Sequence, residues 1–483
     1  MKRFLGAALT ALIVTGTYAF PSPAKADDPK PELAADVQKF VKYGDPVTAI
    51  THVRVIDGTG IPARADQTVV IVHGKIAAVG SAASVIPPAG ATIVDGATKT
   101  LMPGLVGMHD HLFYIVGNPV AVHAMDYSFP RLYLAGGVTT IRTTGSVEPY
   151  ADLNLKRAID AGRVPGPDID VSGPYTSGPG SRGYMIDPRS PQEVTAMVNY
   201  YADIGVTSFK AYAFASRASV GALITAAHKR GLKVAGHLCA VTFGEAIALG
   251  IDSLEHGLTY ATDFDPTKKP DVCPASDAHA AAIAKLDVES APVRELIRNL
   301  VSHHVAITST LAVIETGTPE RFAPQPRMLD LLDRQARVDY TAARDIVLAR
   351  RDHSDAARLK KEMQFEYAFV KAGGLLMAGA DPTAYGGVVA GLGDQRELEL
   401  LVEAGFTPEQ SIAIASANGA RFQGRLDSIG TIATGKTADL VLIDGNPAAN
   451  IADVEKVAVV FKHGLGFDSP KLFEAMKGEV GRR

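Results

Sequence analysis

The segment PGLVGMHDH, residues 103–111, places two histidines two positions apart at the end of a short apolar run. Before this segment the chain contains many short β-type stretches. After it, short apolar runs alternate with helix-like stretches as far as about residue 405. Alternation of buried apolar strands with helices predicts a parallel sheet. The segment therefore marks the first strand of the larger predicted domain.

Eight apolar runs have the length and composition of buried strands, and helical patterns such as 191–204, 218–230 and 243–249 separate them. The predicted strands cover residues 105–111, 138–145, 168–174, 206–212, 232–238, 251–257, 306–310 and 375–381. Eight such units over about 300 residues favour an α/β fold, a closed (β/α)8 TIM barrel within residues 103–428. The largely helical stretch from Pro319 to Ala372 is expected to lie between the seventh and eighth strands.

Short β-rich stretches flank this region on both sides. Residues 47–102 contain several of them, including a hairpin predicted to turn at His73-Gly74-Lys75. After Ser428, strands are expected at residues 429–432, 438–444 and 457–462. We expect residues 47–102 and 429–470 to form one small β-sandwich domain from both chain ends, with the barrel inserted between them.

The first 26 residues have the pattern of a secretory signal peptide. Lys2 and Arg3 precede an apolar run from Phe4 to Val14, and Ala24-Lys25-Ala26 matches a small-residue cleavage site. An uncleaved membrane anchor is the alternative, but the run is shorter than the roughly 20 apolar residues that span a bilayer. Cleavage after Ala26 would place the mature chain in the periplasm or outside the cell, free of the membrane.

Charge and cysteine content narrow the classes of partner and site. Removing residues 1–26, which carry three basic residues and no acidic one, changes the formal net charge from −4 to −7. A mildly acidic surface argues against nucleic acid as a partner. The two cysteines, Cys239 and Cys273, are too few for a cysteine zinc site. Export would permit a disulfide between them, although the sequence does not show that they meet.

Metal-binding side chains recur where the predicted strands end. His109 and His111 would share one face of the first strand, because residues i and i+2 point the same way. His237, His256 and Asp381 each follow an apolar run and precede a turn or loop. Active sites lie at that end of a barrel. A purely structural role for all five is disfavoured, because a buried unpaired Asp381 carboxylate would be costly. The pattern predicts a metal site.

Lys210 ends the predicted fourth strand in the segment VTSFKAY, residues 206–212. A lysine that points into a barrel without a partner is costly. It could be neutral or paired with an acid, or it could anchor a substrate carboxylate. Carboxylation by carbon dioxide would instead give an anionic ligand able to bridge two metals. Spacing does not separate these alternatives.

Two further residues are weaker candidates for substrate binding. Tyr212, two residues beyond Lys210, could donate to an oxyanion, with a packed barrel tyrosine as the alternative. Arg182, in the Gly/Ser/Pro-rich loop 177–183, could hold a substrate carboxylate, with a solvated loop arginine as the alternative. Structural or surface roles are expected for His123, His279, His303, His304 and His353.

Taken together, these motifs resemble those of the amidohydrolase superfamily over nearly the whole mature length. The matching features are PGLVGMHDHL at residues 103–112, Lys210, GHLCAVTFGEA around His237, LEHG around His256, GADP around Asp381, and residues 401–447. The chain is most similar to the imidazolonepropionase-related, prolidase-like branch. That branch contains Xaa-Pro dipeptidases, metallo-carboxypeptidases and ochratoxinase-type amidases.

The resemblance implies two divalent metal ions. It places His109, His111 and Asp381 on the more buried ion, two further histidines, His237 and His256, on the other, and a carboxylated Lys210 between them. Imidazole and carboxylate ligands suit zinc, and also cobalt, nickel or manganese. The implied reaction is attack of metal-bound hydroxide on the carbonyl of an amide, with Asp381 as proton shuttle.

The implied substrate is a small molecule, a dipeptide or an N-acyl amino acid, and the implied assembly is a homo-oligomer. Three other functions stay open at this stage. A one-metal deaminase is disfavoured by Lys210, and a catalytically silent scaffold is disfavoured by the intact ligand set. A lactonase or phosphoesterase would use the same metal chemistry on another electrophile.

Overall fold

The computed structural model describes residues 32–116, 121–319, 321, 325–350, 354–383 and 387–482. The predicted signal peptide, residues 1–26, and His353 lie outside the described residues. Within the described part of the chain, no helix is both long enough and apolar enough to cross a membrane.

The secondary structure alternates between strands and helices through the middle of the chain. The strands are β1 (Val41–Tyr43), β2 (Val47–Val55), β3 (Arg64–Val72), β4 (Lys75–Ser81), β5 (Thr92–Asp95), β6 (Thr100–Pro103), β7 (Leu105–Gly107), β8 (Phe113–Val116), β9 (Ala121–Ala124), β10 (Val138–Arg142), β11 (Asp168–Asp170), β12 (Ser172–Thr176), β13 (Ser208–Ala211), β14 (Lys233–Gly236), β15 (Ser253–Glu255), β16 (Ala306–Ser309), β17 (Leu376–Ala378), β18 (Leu440–Ile443), β19 (Val457–Lys462) and β20 (Leu465–Asp468).

The α-helices are α1 (Ala35–Gln38), α2 (Ser128–Ala135), α3 (Pro149–Asp160), α4 (Pro191–Ile204), α5 (Arg217–Lys229), α6 (Phe243–Leu249), α7 (Ser276–Lys285), α8 (Ala291–Ser302), α9 (Leu311–Glu315), α10 (Pro326–Leu331), α11 (Arg334–Leu348), α12 (Ser354–Lys371), α13 (Leu392–Glu403), α14 (Pro408–Ala413), α15 (Gly419–Phe422) and α16 (Ser469–Ala475). The predicted bounds of α4 and α6 agree with those in the structure, because a polar side chain caps the first turn of each helix. The Ser190 side chain accepts from Glu193 N, and Thr242 and Glu245 form a capping box at α6.

The middle of the chain forms parallel sheets. Strands β11, β10 and β7 pair in one sheet, and strands β12 to β17 pair in sequence order in another. Backbone hydrogen bonds from Met108 N to Ala378 O (2.8 Å) and from Ser146 N to Gly173 O (3.0 Å) join the two sheets at both edges. Parallel strands with intervening helices confirm the predicted mixed α/β fold.

Several parallel strands are shorter than predicted. The first ends at Gly107 rather than at residue 111, and the third is interrupted at Val171. The physical reason at Gly107 is local, because a Cβ there would lie 1.6 Å from a carboxylate oxygen of Asp110, which folds back over the chain. The prediction that His109 and His111 belong to the strand was therefore wrong, and both lie in the bend that follows it.

Strands from both chain ends form a separate sheet of nine strands. Its order is β1-β20-β19-β18-β6-β2-β3-β4, and β5 pairs with β2. Strand β6 lies antiparallel to β18, with Met102 opposite Val441. The predicted strand at residues 429–432 is absent from this described region, because Ile429 N bonds to Arg425 O and Gly430 has a φ of 84°, which makes a turn. The antiparallel pair β8 and β9 was not predicted.

Candidate metal centre

The predicted ligands converge where the parallel strands end. Lys210 lies within β13, and the others follow strands β7, β14, β15 and β17. All are withdrawn from solvent, with exposed fractions of 1% for His109, 3% for His111, 1% for Lys210, 9% for His237, 2% for His256 and 15% for the Asp381 side chain. The structure therefore brings together all six residues that the sequence nominated.

His109, His111 and Asp381 form the tightest part of the group. Oδ1 of Asp381 lies 3.1 Å from Nε2 of His111 and 3.8 Å from Nε2 of His109. One potential ligand atom from each residue lies within 4.8 Å of the other two. The Nδ1 atoms are used elsewhere, at 2.7 Å from Glu255 Oε2 and 2.8 Å from Thr143 O. The two Nε2 atoms are thus the ones left to bind a metal.

Lys210 extends this group through its amine. Its Nζ lies 3.0 Å from His109 Nε2 and faces the rings of Tyr175 and Tyr212 at 5.2 and 5.6 Å. Burial lowers the pKa of Lys210 to about 8. The amine is therefore neutral in a substantial fraction of molecules at mildly alkaline pH, which is the form that reacts with carbon dioxide.

His256 connects the first group to His237. Its ring centre lies 4.6 Å from that of His109 and 4.7 Å from that of His237. Nδ1 of His256 lies 2.7 Å from the Thr310 hydroxyl, whereas Nε2 is buried and no described residue makes a hydrogen bond with it. Burial holds the pKa of both His237 and His256 well below the usual value, which keeps the imidazoles in their neutral, metal-binding form.

Asp381 is held in place by its own backbone. Its φ is 48°, a left-handed conformation that few residues other than glycine adopt, and its N–H donates to His109 O at 2.8 Å. Burial of the carboxyl would raise its pKa, but His109 and His111 outweigh that effect and hold the pKa well below its usual range. The carboxylate is consequently anionic beside the two imidazoles.

Comparison with known proteins bears on this geometry. The model of the Amidohydrolase family matches residues 100–466, most of the chain. The chain belongs to the amidohydrolase family. It is accordingly a metal-dependent hydrolase that acts on amide or peptide bonds. Among curated protein sequences none matches this amidohydrolase.

Solved structures similar to this amidohydrolase cover nearly all of its described length. A protein of Bifidobacterium longum assigned as a prolidase is 25% identical, with a TM-score of 0.63, over 89% of this chain and 98% of that one. A Xaa-Pro dipeptidase with methionine bound in its active site is 21% identical, with a TM-score of 0.65, over 87% and 100%. The ochratoxinase of A. niger is 19% identical, with a TM-score of 0.61, over 87% and 95%. These neighbours confirm the prolidase-like branch that the sequence motifs indicated.

The donor atoms of this amidohydrolase fit the divalent metal that the family requires. Two Nε2 atoms and a carboxylate oxygen lie close together, and a third Nε2, on His256, is buried without a hydrogen-bond partner in the regions that the structure describes. A buried polar atom without a hydrogen bond is destabilising unless something binds it. Coordination of a metal would satisfy the His256 nitrogen.

A second group of possible metal ligands in the amidohydrolase differs from the first, because its carboxylates already form salt bridges. Asp168, Asp439 and His463 also lie close together. Lys462 Nζ, however, lies 2.8 Å from Asp168 and 3.3 Å from Asp439, and Arg425 Nη2 lies 2.7 Å from Asp168. Cationic side chains already neutralise these carboxylates, so this cluster is a network of salt bridges that links the parallel strand β11 to the nine-stranded sheet.

Aromatic rings that sequence reasoning passed over line the metal centre. The Phe113 ring stacks on that of His111 at 4.6 Å, and the Tyr260 ring lies 4.1 Å from that of His237 and 5.0 Å from that of His256. The Tyr175 hydroxyl lies 3.2 Å from His111 Nε2. Tyr260 is four residues beyond His256, and proximity to a predicted ligand was the one available signal for it.

The two weaker candidates for substrate binding, Tyr212 and Arg182, lie at different distances from the metal centre. The Tyr212 ring lies 4.3 Å from the His237 ring, directly beside the metal centre. Arg182 is exposed on the loop after β12, and its guanidinium donates to the Tyr184 hydroxyl at 3.3 Å. The Tyr184 ring is 6.4 Å from that of Tyr175, so Arg182 lies farther out than Tyr212, towards the solvent side of the aromatic group.

Proposed function

We propose that this protein is a binuclear metal-dependent hydrolase that cleaves an amide bond in a small molecule, a dipeptide or an N-acyl amino acid. The observation that carries the proposal is the convergence of four buried imidazoles, an anionic carboxylate and a buried lysine, with His256 Nε2 lacking a hydrogen-bond partner among the described residues. This is the donor set of a two-metal site of nitrogen and oxygen ligands.

The proposal includes the architecture that holds the site. The eight parallel strands, the third of which comprises β11 and β12, would close into a (β/α)8 barrel within residues 103–428, supported by the backbone bonds that join the two parallel sheets. Residues 47–102 and 429–470 would form a β-sandwich domain, supported by the antiparallel pairing of β6 with β18. The metal centre then lies at the carboxyl ends of the barrel strands, where catalytic residues of this fold collect.

In this proposal His109, His111 and Asp381 hold one divalent ion, most simply zinc, and the histidines that follow β14 and β15 hold the other. Lys210, carboxylated by carbon dioxide, would lie between them, as its contact with His109 Nε2 allows. When bound, such ions lower the pKa of a coordinated water and polarise the carbonyl of the substrate.

Asp381 and the surrounding tyrosines would supply the remaining chemistry. The Asp381 carboxylate, anionic and within reach of the shared centre, would accept the proton of the attacking water and deliver it to the leaving nitrogen. Tyr212, beside His237, would donate its hydroxyl hydrogen to the oxygen of the tetrahedral intermediate. Arg182, on the outer loop, would attract a substrate carboxylate.

Neighbours described as a prolidase and a Xaa-Pro dipeptidase direct the first choice of substrates to dipeptides with a proline at the carboxyl end.

The proposal also covers the localisation and the assembly of the enzyme. We propose export through the signal peptide at residues 1–26, a periplasmic or secreted mature enzyme, and assembly into a homo-oligomer. Amino-terminal sequencing and light scattering of the mature protein would test these.

The test of function is an assay of zinc-loaded mature protein against a panel of dipeptides and N-acyl amino acids, with quantification of free amino acids. Xaa-Pro dipeptides and acyl-phenylalanines belong in the panel. Chelator-treated protein is the control, and it should be inactive until metal is returned. Absence of any release from protein shown to contain two metals would reject amide hydrolysis and turn the search to lactones and phosphoesters.

A further inference from the structure

A buried ion pair lies directly beneath the metal centre. Nη2 of Arg142, on β10, lies 2.9 Å from Oε1 of Glu255, on β15, and both side chains are almost fully buried, at 2% and 0% exposed. Neither residue was nominated from the sequence. An ion pair in the interior is costly unless its remaining hydrogen-bonding groups are satisfied.

Neighbouring groups form hydrogen bonds with both Arg142 and Glu255. Arg142 Nε donates to Met108 O at 2.9 Å, and its two terminal nitrogens lie 3.3 Å from the hydroxyls of Ser253 and Thr308. Ser253 Oγ also donates to Glu255 Oε1 at 3.1 Å. The guanidinium therefore joins β10 to β15 and β16 and fixes one oxygen of Glu255.

The other oxygen of Glu255, Oε2, accepts one hydrogen bond from the described residues. Glu255 Oε2 lies 2.7 Å from Nδ1 of His109, and no hydrogen bond from another described residue reaches that oxygen. A carboxylate can only accept, so Nδ1 of His109 carries the hydrogen and Nε2 carries the lone pair that a metal needs. His111 differs, because its Nδ1 meets the neutral backbone oxygen of Thr143.

We infer that Glu255 and Arg142 are positioning residues for His109: the carboxylate fixes the tautomer and ring orientation of this one ligand, and the guanidinium fixes the carboxylate. The inference rests on the proposed function, since it requires His109 to bind metal. A charged acceptor makes a shorter and stronger hydrogen bond than a neutral one, so the Nδ1 hydrogen bond of His109 to Glu255 is stronger than that of His111 to Thr143. Loss of the Glu255 carboxylate should therefore weaken the ion that His109 holds.

Zinc affinity of the apo protein, measured by competition with a chromophoric chelator at fixed pH, tests this directly. The variant Glu255→Gln keeps the size of the side chain but removes its charge and presents an amide to Arg142. We expect the affinity of the zinc site that includes His109 to fall about 10- to 100-fold, the usual effect of losing such a partner. Circular dichroism and thermal unfolding of the apo variant report whether it has folded.

The matched control is Asp439→Asn, which neutralises another buried carboxylate paired with a cation, Lys462, at 3.3 Å, in the nine-stranded sheet. It should lower stability and leave zinc affinity unchanged. A folded Glu255→Gln protein with wild-type zinc affinity would overturn the inference.

If Glu255→Gln does not fold, the zinc affinity of a Ser253→Ala variant tests the inference instead. This substitution removes one hydrogen-bond donor to Glu255 without creating an unpaired charge. It should weaken the zinc site that includes His109 by a few-fold, and unchanged affinity would again overturn the inference. Failure of the wild-type apo protein to bind zinc at all would reject the proposed function instead. These two failures are thereby distinguishable.

Discussion

The hydroxyl of Thr310 lies 2.7 Å from Nδ1 of His256, although 54 residues separate them in the chain. The opposite nitrogen, Nε2, is buried and has no hydrogen-bond partner within the described part of the chain. Thr310 follows the last residue of β16, and His256 follows the last residue of β15, so the parallel pairing of these two strands sets the contact.

Replacing Thr310 with Val should therefore weaken metal binding without unfolding the protein. Valine has nearly the same shape, but it leaves the His256 ring free to rotate and Nδ1 without a partner. We expect about a 10-fold or greater loss of affinity for one zinc ion, the lower end of the range for such supporting residues. Metal analysis after dialysis against a weak chelator would measure it. Retention of two tightly held ions by the variant would contradict this role for Thr310.

Replacing Asp381 with Asn tests the proton shuttle. The amide preserves the shape of the side chain and an oxygen ligand, but it cannot carry a proton from water to the leaving group. We expect metal to remain largely bound and kcat to fall by about 100- to 10,000-fold, the range for loss of a general acid–base group. Activity with the substrate identified from the panel, normalised to metal content, is the measurement. Full turnover by the variant would show that another group moves the proton.

Carboxylation of Lys210 should depend on pH in a defined direction. Burial lowers the pKa of its amine to about 8, and only the neutral amine reacts with carbon dioxide. The neutral fraction rises as pH rises through 8, so reactivation of apo protein by zinc and bicarbonate should be faster at pH 8.5 than at about pH 6.5. Reactivation at the two pH values, with and without bicarbonate, checks this. Equal recovery in carbon dioxide-free buffer would argue that Lys210 acts as a free amine.

Asp152 should make stability fall as pH rises. Burial raises the pKa of this carboxyl to about 7, from an ordinary value of 3.8, while Ser146 Oγ donates to it at 2.5 Å. The folded protein thus binds a proton that the unfolded chain releases between about pH 4 and pH 7. Stability from this group is present at low pH and is lost as pH rises through 7.

The size of this effect is at most about 4 kcal/mol, from a pKa shift of about three units. Asp152→Asn removes the titration and keeps the side-chain shape. Urea unfolding of wild-type and variant apo protein between pH 5 and pH 8 should give stability curves that diverge with pH, with the variant favoured at the alkaline end. Parallel curves would mean that Asp152 is not protonated in the folded state.

Cys239 and Cys273 form a disulfide, which settles the pairing that the sequence left open. The bond closes a loop with a sequence separation of 34, which contains both His256 and Tyr260. Replacing both cysteines with Ser should destabilise the protein by about 4 kcal/mol, from the loop-closure entropy restored to the unfolded chain. Urea unfolding would measure it, with the oxidised wild-type protein as reference. Equal stability would indicate that noncovalent contacts alone hold the loop.

The sequence was sufficient for features that depend on local pattern. Apolar runs locate the parallel strands, and helices α4 and α6 have the predicted bounds because their caps are local signals. The six proposed ligands were nominated for the same reason, since each lies within or just after a buried run. The strand explanation for His109 and His111 failed, because the Asp110 side chain folds over Gly107 and bends the chain there.

Only the tertiary structure decided which side chains meet, because the contacts join residues that no local pattern relates. Glu255 reaches His109 across 146 residues of sequence, and Arg142 reaches Glu255 across 113. The orientation of each imidazole depends on such a partner, whether a carboxylate, a hydroxyl or a backbone oxygen. By itself the sequence determined which residues could bind metal, and packing of distant strands determined which nitrogen of each histidine is available to do so.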